Sequence, residues 1–273
     1  MDNNRPIFQR IRRYGRLIYI FTSANFQRQL AYRPSFFLAV IGKILRMALL
    51  LLFFNTLFQY TPLLAGWKYQ DIFLLFTIYL TVESMMISTF HRNLSFYLPE
   101  LLRKGSFDFL LTKPVSSLWY ASFRVIDLMD LTSALFVIYL WIYYFVNFGE
   151  SIGFVSLLFL VFWMGVALFF IYSLLVIISS TAFWTINATG IGRLFEDVVK
   201  IGRYPTNIFQ GALHVIVLFI FPIGIIANLP ADVLLHRGEW WYVGYALLFC
   251  GIIWLISRKI WQLAMRRYSS ASS

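Results

Sequence analysis

Three carboxylates in this 273-residue chain stand where carboxylates are costly. Glu83 falls inside the apolar run 72–90, and Asp127 and Asp130 lie near the start of the run 117–146, with Arg124 one turn before them. An ionised side chain at membrane depth costs about 2.5–3.5 kcal/mol or more unless it is paired or hydrated. Arg124, Asp127 and Asp130 are spaced by three, so on a helix they fall along neighbouring turns and can pair locally. Two uses fit these residues. One is a structural ion-pair cluster near a membrane face, and the other is a pathway lining or a coupling between subunits.

Other chemistry is sparse. His91, His214 and His236 have no metal-ligand spacing, so no metal site is expected, and a lone Cys250 excludes an internal disulfide. There is no G-x-x-x-x-G-K-[ST] loop to cradle a nucleotide. Gly149-Glu150-Ser151-Ile152-Gly153 matches G-x-S-x-G, but that pattern works only when a strand-turn-helix lifts the serine beside a histidine base. Here it falls in a short turn between two apolar runs, and the match is accidental.

The elements that must position these residues follow from composition. The chain is 60% hydrophobic, 20% aromatic and only 13% charged, against roughly a quarter charged in soluble domains. An all-α integral membrane protein is expected, with spans near 36–58, 72–90, 117–146, 154–183, 207–229 and 240–261. Such spans leave no room for a soluble catalytic domain of ordinary size. The net charge of +11 is distributed unevenly. Arg5 to Arg33, Arg92 to Arg124, Arg193 to Arg203 and Arg258 to Arg267 gather on one side, while the other receives only Lys68 and Arg237 beside Asp71, Glu150, Asp232 and Glu239. The positive-inside rule puts both termini in the cytoplasm, and nucleic-acid binding is not the meaning of the charge. Lys43 and Arg46, inside the first span, are expected to snorkel toward the basic side. The same topology removes the glycosylation matches at Asn93 and Asn187.

Along the chain, Ile7, Ile11, Tyr14, Ile18 and Phe21 recur at helical spacing opposite Arg12, Arg13 and Arg16. Residues 1–35 therefore read as an interfacial amphipathic helix, serving as a basic anchor or a protein contact. The connection 97–114 is more shaped. A short helix opens near Pro99-Glu100 and stops at Gly105, Ser106 or Asp108 restarts the chain, and Lys113-Pro114 ends it. Leu101, Leu102, Phe107, Phe109 and Leu110 make it an apolar knob with a charged rim, either immersed in the membrane or a docking surface. A second interfacial helix is expected over Leu194 to Ile201. Pro222 and Gly224 interrupt the fifth span, and the apolar sequence beyond them suggests a partly re-entrant segment at about 222–236. The tail 263–273 reads as cytoplasmic, its last serines as disordered.

The segment Gly105-Ser106-Phe107-Asp108-Phe109-Leu110-Leu111-Thr112-Lys113-Pro114 resembles the G-x-(L/F)-D-x-x-L-x-(R/K)-P pattern of a bacterial subgroup of ABC-2 type transporter permeases. Gly202-Arg203-Tyr204-Pro205, followed by Phe221-Pro222 and Leu229-Pro230-Ala231, is similar to that subgroup's second signature. The resemblance covers essentially the whole chain. It implies a permease of the bacterial inner membrane, usually an exporter, with a connector helix over Ile7 to Leu30. It implies an ATPase-coupling helix at Glu100, Leu101, Leu102, Arg103 and Lys104 with Gly105, Phe107 and Asp108. It also implies a separate cytoplasmic ATPase dimer holding ATP and magnesium, and a second permease chain, identical or related. Two rival classes stay open from the residues alone: a membrane enzyme acting on lipid-linked intermediates, and a channel or scaffold that uses no ATP.

Overall fold

A computed structural model describes residues 15–24, 27, 33–126, 131–148, 153–185, 188–235, 237 and 240–268. Asp127, Asp130 and residues 149–152 of the G-x-S-x-G match lie outside these residues, as do Ile7, Ile11 and Tyr14 of the N-terminal helix and the last five residues of the tail. The side chain of Lys43 is likewise outside them. The described part is helical, with no strand among the described residues beyond an isolated bridge between Leu64 and Trp67. Its helices are α1 (Arg33–Tyr60), α2 (Tyr69–Met86), α3 (Leu98–Arg103), α4 (Asp108–Leu111), α5 (Ser117–Phe123) and α6 (Leu131–Phe148). They continue with α7 (Phe154–Ser180), α8 (Ala188–Lys200), α9 (Ala212–Val215), α10 (Asn228–Leu234) and α11 (Trp240–Arg267).

Four stretches are long and apolar enough to cross a membrane: Val40–Tyr60, Tyr69–Arg103, Phe154–Phe183 and Trp240–Arg267. The second is the centre of the fold. Asp71 to Glu83 is buried throughout, because α6, α7 and α10 pack around it. Phe73 meets Tyr143, Tyr144 and Phe148 of α6 at ring separations of 5.2–6.4 Å. Toward its far end this stretch widens into π-type turns at Ile87–His91 and Asn93–Tyr97. There Ser88, Thr89 and Asn93 each bond a carbonyl four residues back, a competition that bends helices.

α7 and α11 form the closest pair of long helices. Aromatic rings meet across them, Phe169 and Tyr172 with Trp254 and Phe170 with Phe249, and small residues along both, Ala167 on α7 and Ala246, Cys250, Ser257 and Ala264 on α11, are buried. Such stripes let helices meet by van der Waals packing where water supplies no driving force. Their outer faces, including Leu158, Val161, Leu248 and Leu255, are exposed as lipid-facing sides are.

The two remaining apolar stretches are not single helices. The run 117–146, expected as one span, breaks after α5 at Arg124 to Ile126 and resumes at α6. The run 207–229 is a chain of short pieces: a turn at Thr206–Ile208, then α9, a π-turn at Ile216–Ile220, a break at Phe221-Pro222, a turn at Ile223–Ile225 and α10. The segment from Pro222 to Ala231 is buried against α7 and α2. Backbone freed from helical bonding in a dry interior must find partners elsewhere. At the first break an asparagine carboxamide supplies them, and a second carboxamide holds the entry to the other stretch, on either side of Pro205. Asn93 donates to the carbonyl of Val125 at 2.6 Å and accepts from its N–H at 3.0 Å. Asn228 accepts from Thr206 N–H at 2.9 Å and donates to the Tyr204 carbonyl at 3.1 Å.

Candidate functional site

The knob over 97–114 is built on an anchor and a rim. Pro99 sits in the first turn of α3, directly after the π-type turn that ends at Tyr97. Gly105 takes φ +67° in the turn that follows, a conformation glycine adopts without strain, and α4 then runs back. Between the two helices Phe107 is fully buried. Its ring meets Phe183 at the end of α7 edge-on at 5.3 Å, and Tyr268 just past α11 at 5.1 Å. Burial, and next the neighbouring Asp108 carboxylate, hold the Tyr268 phenol above its usual pKa. Leu110 is buried beside this anchor, and Leu101 and Leu102 are half-buried.

The rim faces outward. Phe109 is 73% exposed and Leu111 43%, with Arg103, Lys104, Lys113 and Pro114 exposed around them. Glu100 and Lys104 pair across one helical turn at 2.6 Å. A cavity of about 350 Å³ separates Pro99, Leu102 and Arg103 from Trp184, Thr185 and Arg267. The knob is therefore wedged under the ends of α7 and α11 by one aromatic ring, and presents apolar and basic groups away from them.

Glu83 belongs to a second constellation. Its carboxylate accepts from Tyr79 Oη at 3.2 Å and lies 3.7 Å from the guanidinium of Arg46 on α1. Arg46, expected to snorkel toward the basic side, is half-exposed beside an acid of α2. About two turns further, the imidazole Nε2 of buried His91 lies 3.3 Å from Glu196 Oε1 on α8 and 3.2 Å from Ser95 Oγ. Burial raises the Glu196 carboxyl above its usual pKa, opposed by Lys200 and assisted by Asp197 and Glu83. Gly192 permits this approach of α8, since a Cβ there would stand 2.9 Å from Ser95 Cβ. The cluster encloses about 160 Å³ and joins α1, α2 and α8 through the Arg46–Glu83 ion pair and the His91–Glu196 contact. Arg124 is not part of it and is exposed in the break after α5. No group of three potential metal ligands occurs among the described residues.

The Gly202 to Pro205 segment lies where α8 gives way to the broken stretch. Arg203 stacks over the Tyr204 ring at 5.0 Å, and the Asn228 carboxamide holds the backbone on both sides of Pro205. A Cβ on Gly202 would press on Ile223 and Ile226, just beyond Pro222. These motif residues therefore shape the broken stretch. A family model described as ABC-2 family transporter protein matches residues 44–272. The chain belongs to that family. No match is found among curated proteins or among solved structures. This ABC-2 family chain is accordingly a multi-pass membrane protein and a permease subunit rather than an enzyme.

Residues that sequence reasoning passed over now stand out. Asn93 drew notice only as a glycosylation match in a connection, and Asn228 stood unremarked inside the interrupted run 207–229, so their signal was faint: a lone carboxamide beside or within apolar sequence. Asp71 was assigned only to a side of the membrane. It is buried completely, accepting from Arg237 at 2.8 Å and from Lys68 N–H at 3.1 Å. Asp232 stands nearby, beyond the fifth apolar stretch. Burial raises its carboxyl from 3.8 to about 6, against Arg237 and with a push from Asp71.

Proposed function

We propose that this chain is the permease subunit of an ATP-driven exporter in a bacterial cytoplasmic membrane. It forms the substrate pathway with a second permease chain, identical or related, and a cytoplasmic dimer of ABC ATPase subunits binds the ATP and magnesium. Both termini lie in the cytoplasm, and the knob at 97–114 is the surface on which the ATPase acts. The observation that carries this reading is the placement of Phe107. A docking surface moves a transporter only if it is joined firmly to the helices, and Phe107 is gripped by the ends of α7 and α11 together.

The mechanism follows from that joint. Closure of the ATPase dimer on ATP displaces Phe109, Leu111 and the Arg103 rim. Phe107 passes the displacement to α7 and α11, which move as one body because small residues lock them along their length. The tilt shifts the population between inward-facing and outward-facing arrangements of the pathway between two permeases. Glu83, tied to Arg46, keeps α1 with α2 through the motion.

The test is purification of the chain from its native membranes in mild detergent, with the copurifying ABC ATPase quantified. Reversing Arg103 and Lys104 to glutamate is expected to lower ATPase copurification at least about tenfold, since each like-charge contact costs several kcal/mol. Yield and membrane insertion stay unchanged. Undiminished copurification would remove the knob as the coupling surface, and failure to capture any ATPase with the unmodified chain would favour a channel or scaffold.

A further inference from the structure

A cavity of about 500 Å³ lies between α5 and the second half of α11, and its wall residue Trp261 meets Phe183, the ring that grips Phe107, at 5.5 Å. That volume is within the ligand-site range of about 300–1,000 Å³. Its walls are aromatic: Trp254 and Trp261 from α11, with Trp119 from α5. Ser117 and Gln262 add polar groups, and Arg258 is the one charged residue in the lining. The aromatic walls are held in place. Trp261 Nε1 donates to Ser117 Oγ at 3.4 Å, and Trp254 packs on Tyr172, whose hydroxyl meets Ser122 Oγ at 2.9 Å. The Arg258 guanidinium lies over the Trp254 ring at 5.8 Å, and among the described residues no carboxylate pairs with it.

The position narrows the occupant. Arg258 sits two turns inside the basic end of α11, at the depth where tryptophan rings and arginines meet lipid headgroups. Residues seven apart share a helix face, so Gln262 in the cavity continues into Leu255 and Leu248, which are 62% and 66% exposed. A basic, aromatic pocket thus opens onto an apolar strip running toward the membrane interior. A guanidinium without a carboxylate matches a phosphate bidentately, and the rings cover the adjoining glycerol.

We infer that this cavity binds the headgroup of a phospholipid from the leaflet at the basic end of the helices, with its phosphate on Arg258 and its acyl chains along Leu255 and Leu248. Bound there, the lipid fixes α5 against α11 and becomes part of the body that carries Phe107.

The experiment is native mass spectrometry of the full chain, purified in mild detergent, delipidated and titrated with phosphatidylglycerol. One lipid is expected to saturate first, and Arg258→Gln is expected to weaken that event at least about tenfold, the loss of one charge-assisted contact. Arg258→Lys falls between, while Arg266→Gln, which removes an exposed arginine outside the cavity, binds as the unmodified chain does. Diacylglycerol with the same chains is expected not to fill the site, and inorganic phosphate not to compete. Equal retention by Arg258→Gln overturns the inference, and so does an equal loss in Arg266→Gln, which would mean diffuse attraction. Binding of diacylglycerol as tight as that of phosphatidylglycerol, or displacement by inorganic phosphate, overturns it too. Arg258 is exposed, so folding of its variants is checked simply by an unchanged elution volume.

Discussion

α7 and α11 run unbroken, whereas the stretches 117–146 and 207–229 come apart. The unbroken pair satisfies its own backbone and needs only close packing, which Ala167, Ala246 and Ala264 provide. The broken stretches cannot satisfy theirs. They depend on Asn93 and Asn228, each buried and each replacing both halves of a missing peptide partner. The long helices that pack side by side are continuous here, and the bent segments are held by single distant side chains. The second kind of construction is the more vulnerable to one substitution.

The largest effect is therefore expected at Asn228. Asn228→Ala leaves the Thr206 N–H and the Tyr204 carbonyl unpaired, at about 1–3 kcal/mol for each buried group. A thermal melt in detergent should show a clear drop, and Asn228→Asp, which keeps only the acceptor, about half of it. A melt like that of the unmodified chain would mean that the segment is held by packing alone.

Next comes the acid beside the broken stretch. Because the Asp232 carboxyl is raised from 3.8 to about 6, the folded form holds its proton more tightly than the unfolded one. Its contribution is present in full below the lower value and is lost as pH rises through the higher, by up to about 3 kcal/mol. Melting temperature should fall between about pH 4 and pH 7, and Asp232→Asn should flatten that slope. Arg237, Asp71 and Tyr242, which face the same carboxyl, are unchanged in that variant. A slope that survives it would assign the dependence to another group.

The continuous pair is tested from the opposite direction, by adding volume. Ala246→Leu overpacks a fully buried contact and should destabilise by about 1–3 kcal/mol. If it is silent, α7 and α11 are less tightly joined than their small-residue stripe implies. The smallest effect on stability belongs to the rim. Phe109→Ser at an exposed position should shift the melt by less than about 0.5 kcal/mol, yet reduce ATPase copurification. A variant that copurifies normally would separate Phe109 from the coupling surface and leave Arg103 to carry it.

Much of this fold was legible in the sequence, because hydrophobicity and charge are local properties. Apolar length located the helices, the excess of arginine distinguished one end from the other, and Pro99, Gly105 and Pro114 punctuated the knob. The interruption at Pro222 was visible for the same reason: proline removes a donor wherever it stands. The break at Arg124 to Ile126 was not, since no residue there forbids a helix. It exists because Asn93, 32 residues away, offers an alternative partner. Glu83 was recognisable as costly, but its partner was not among the nearby charges of its own connection. It is Arg46, on another helix.

The sequence by itself thus determined that the chain crosses a membrane as helices and where its basic end lies. It also marked which short segment stands out of that end. Only the tertiary structure decided what completes each interrupted backbone, which cation meets Glu83, and that Phe107 ties the knob to α7 and α11. The physical reason is one of range. A side chain's need for burial or a partner is written in its own type, but the group that meets the need is chosen by packing between segments far apart in the chain.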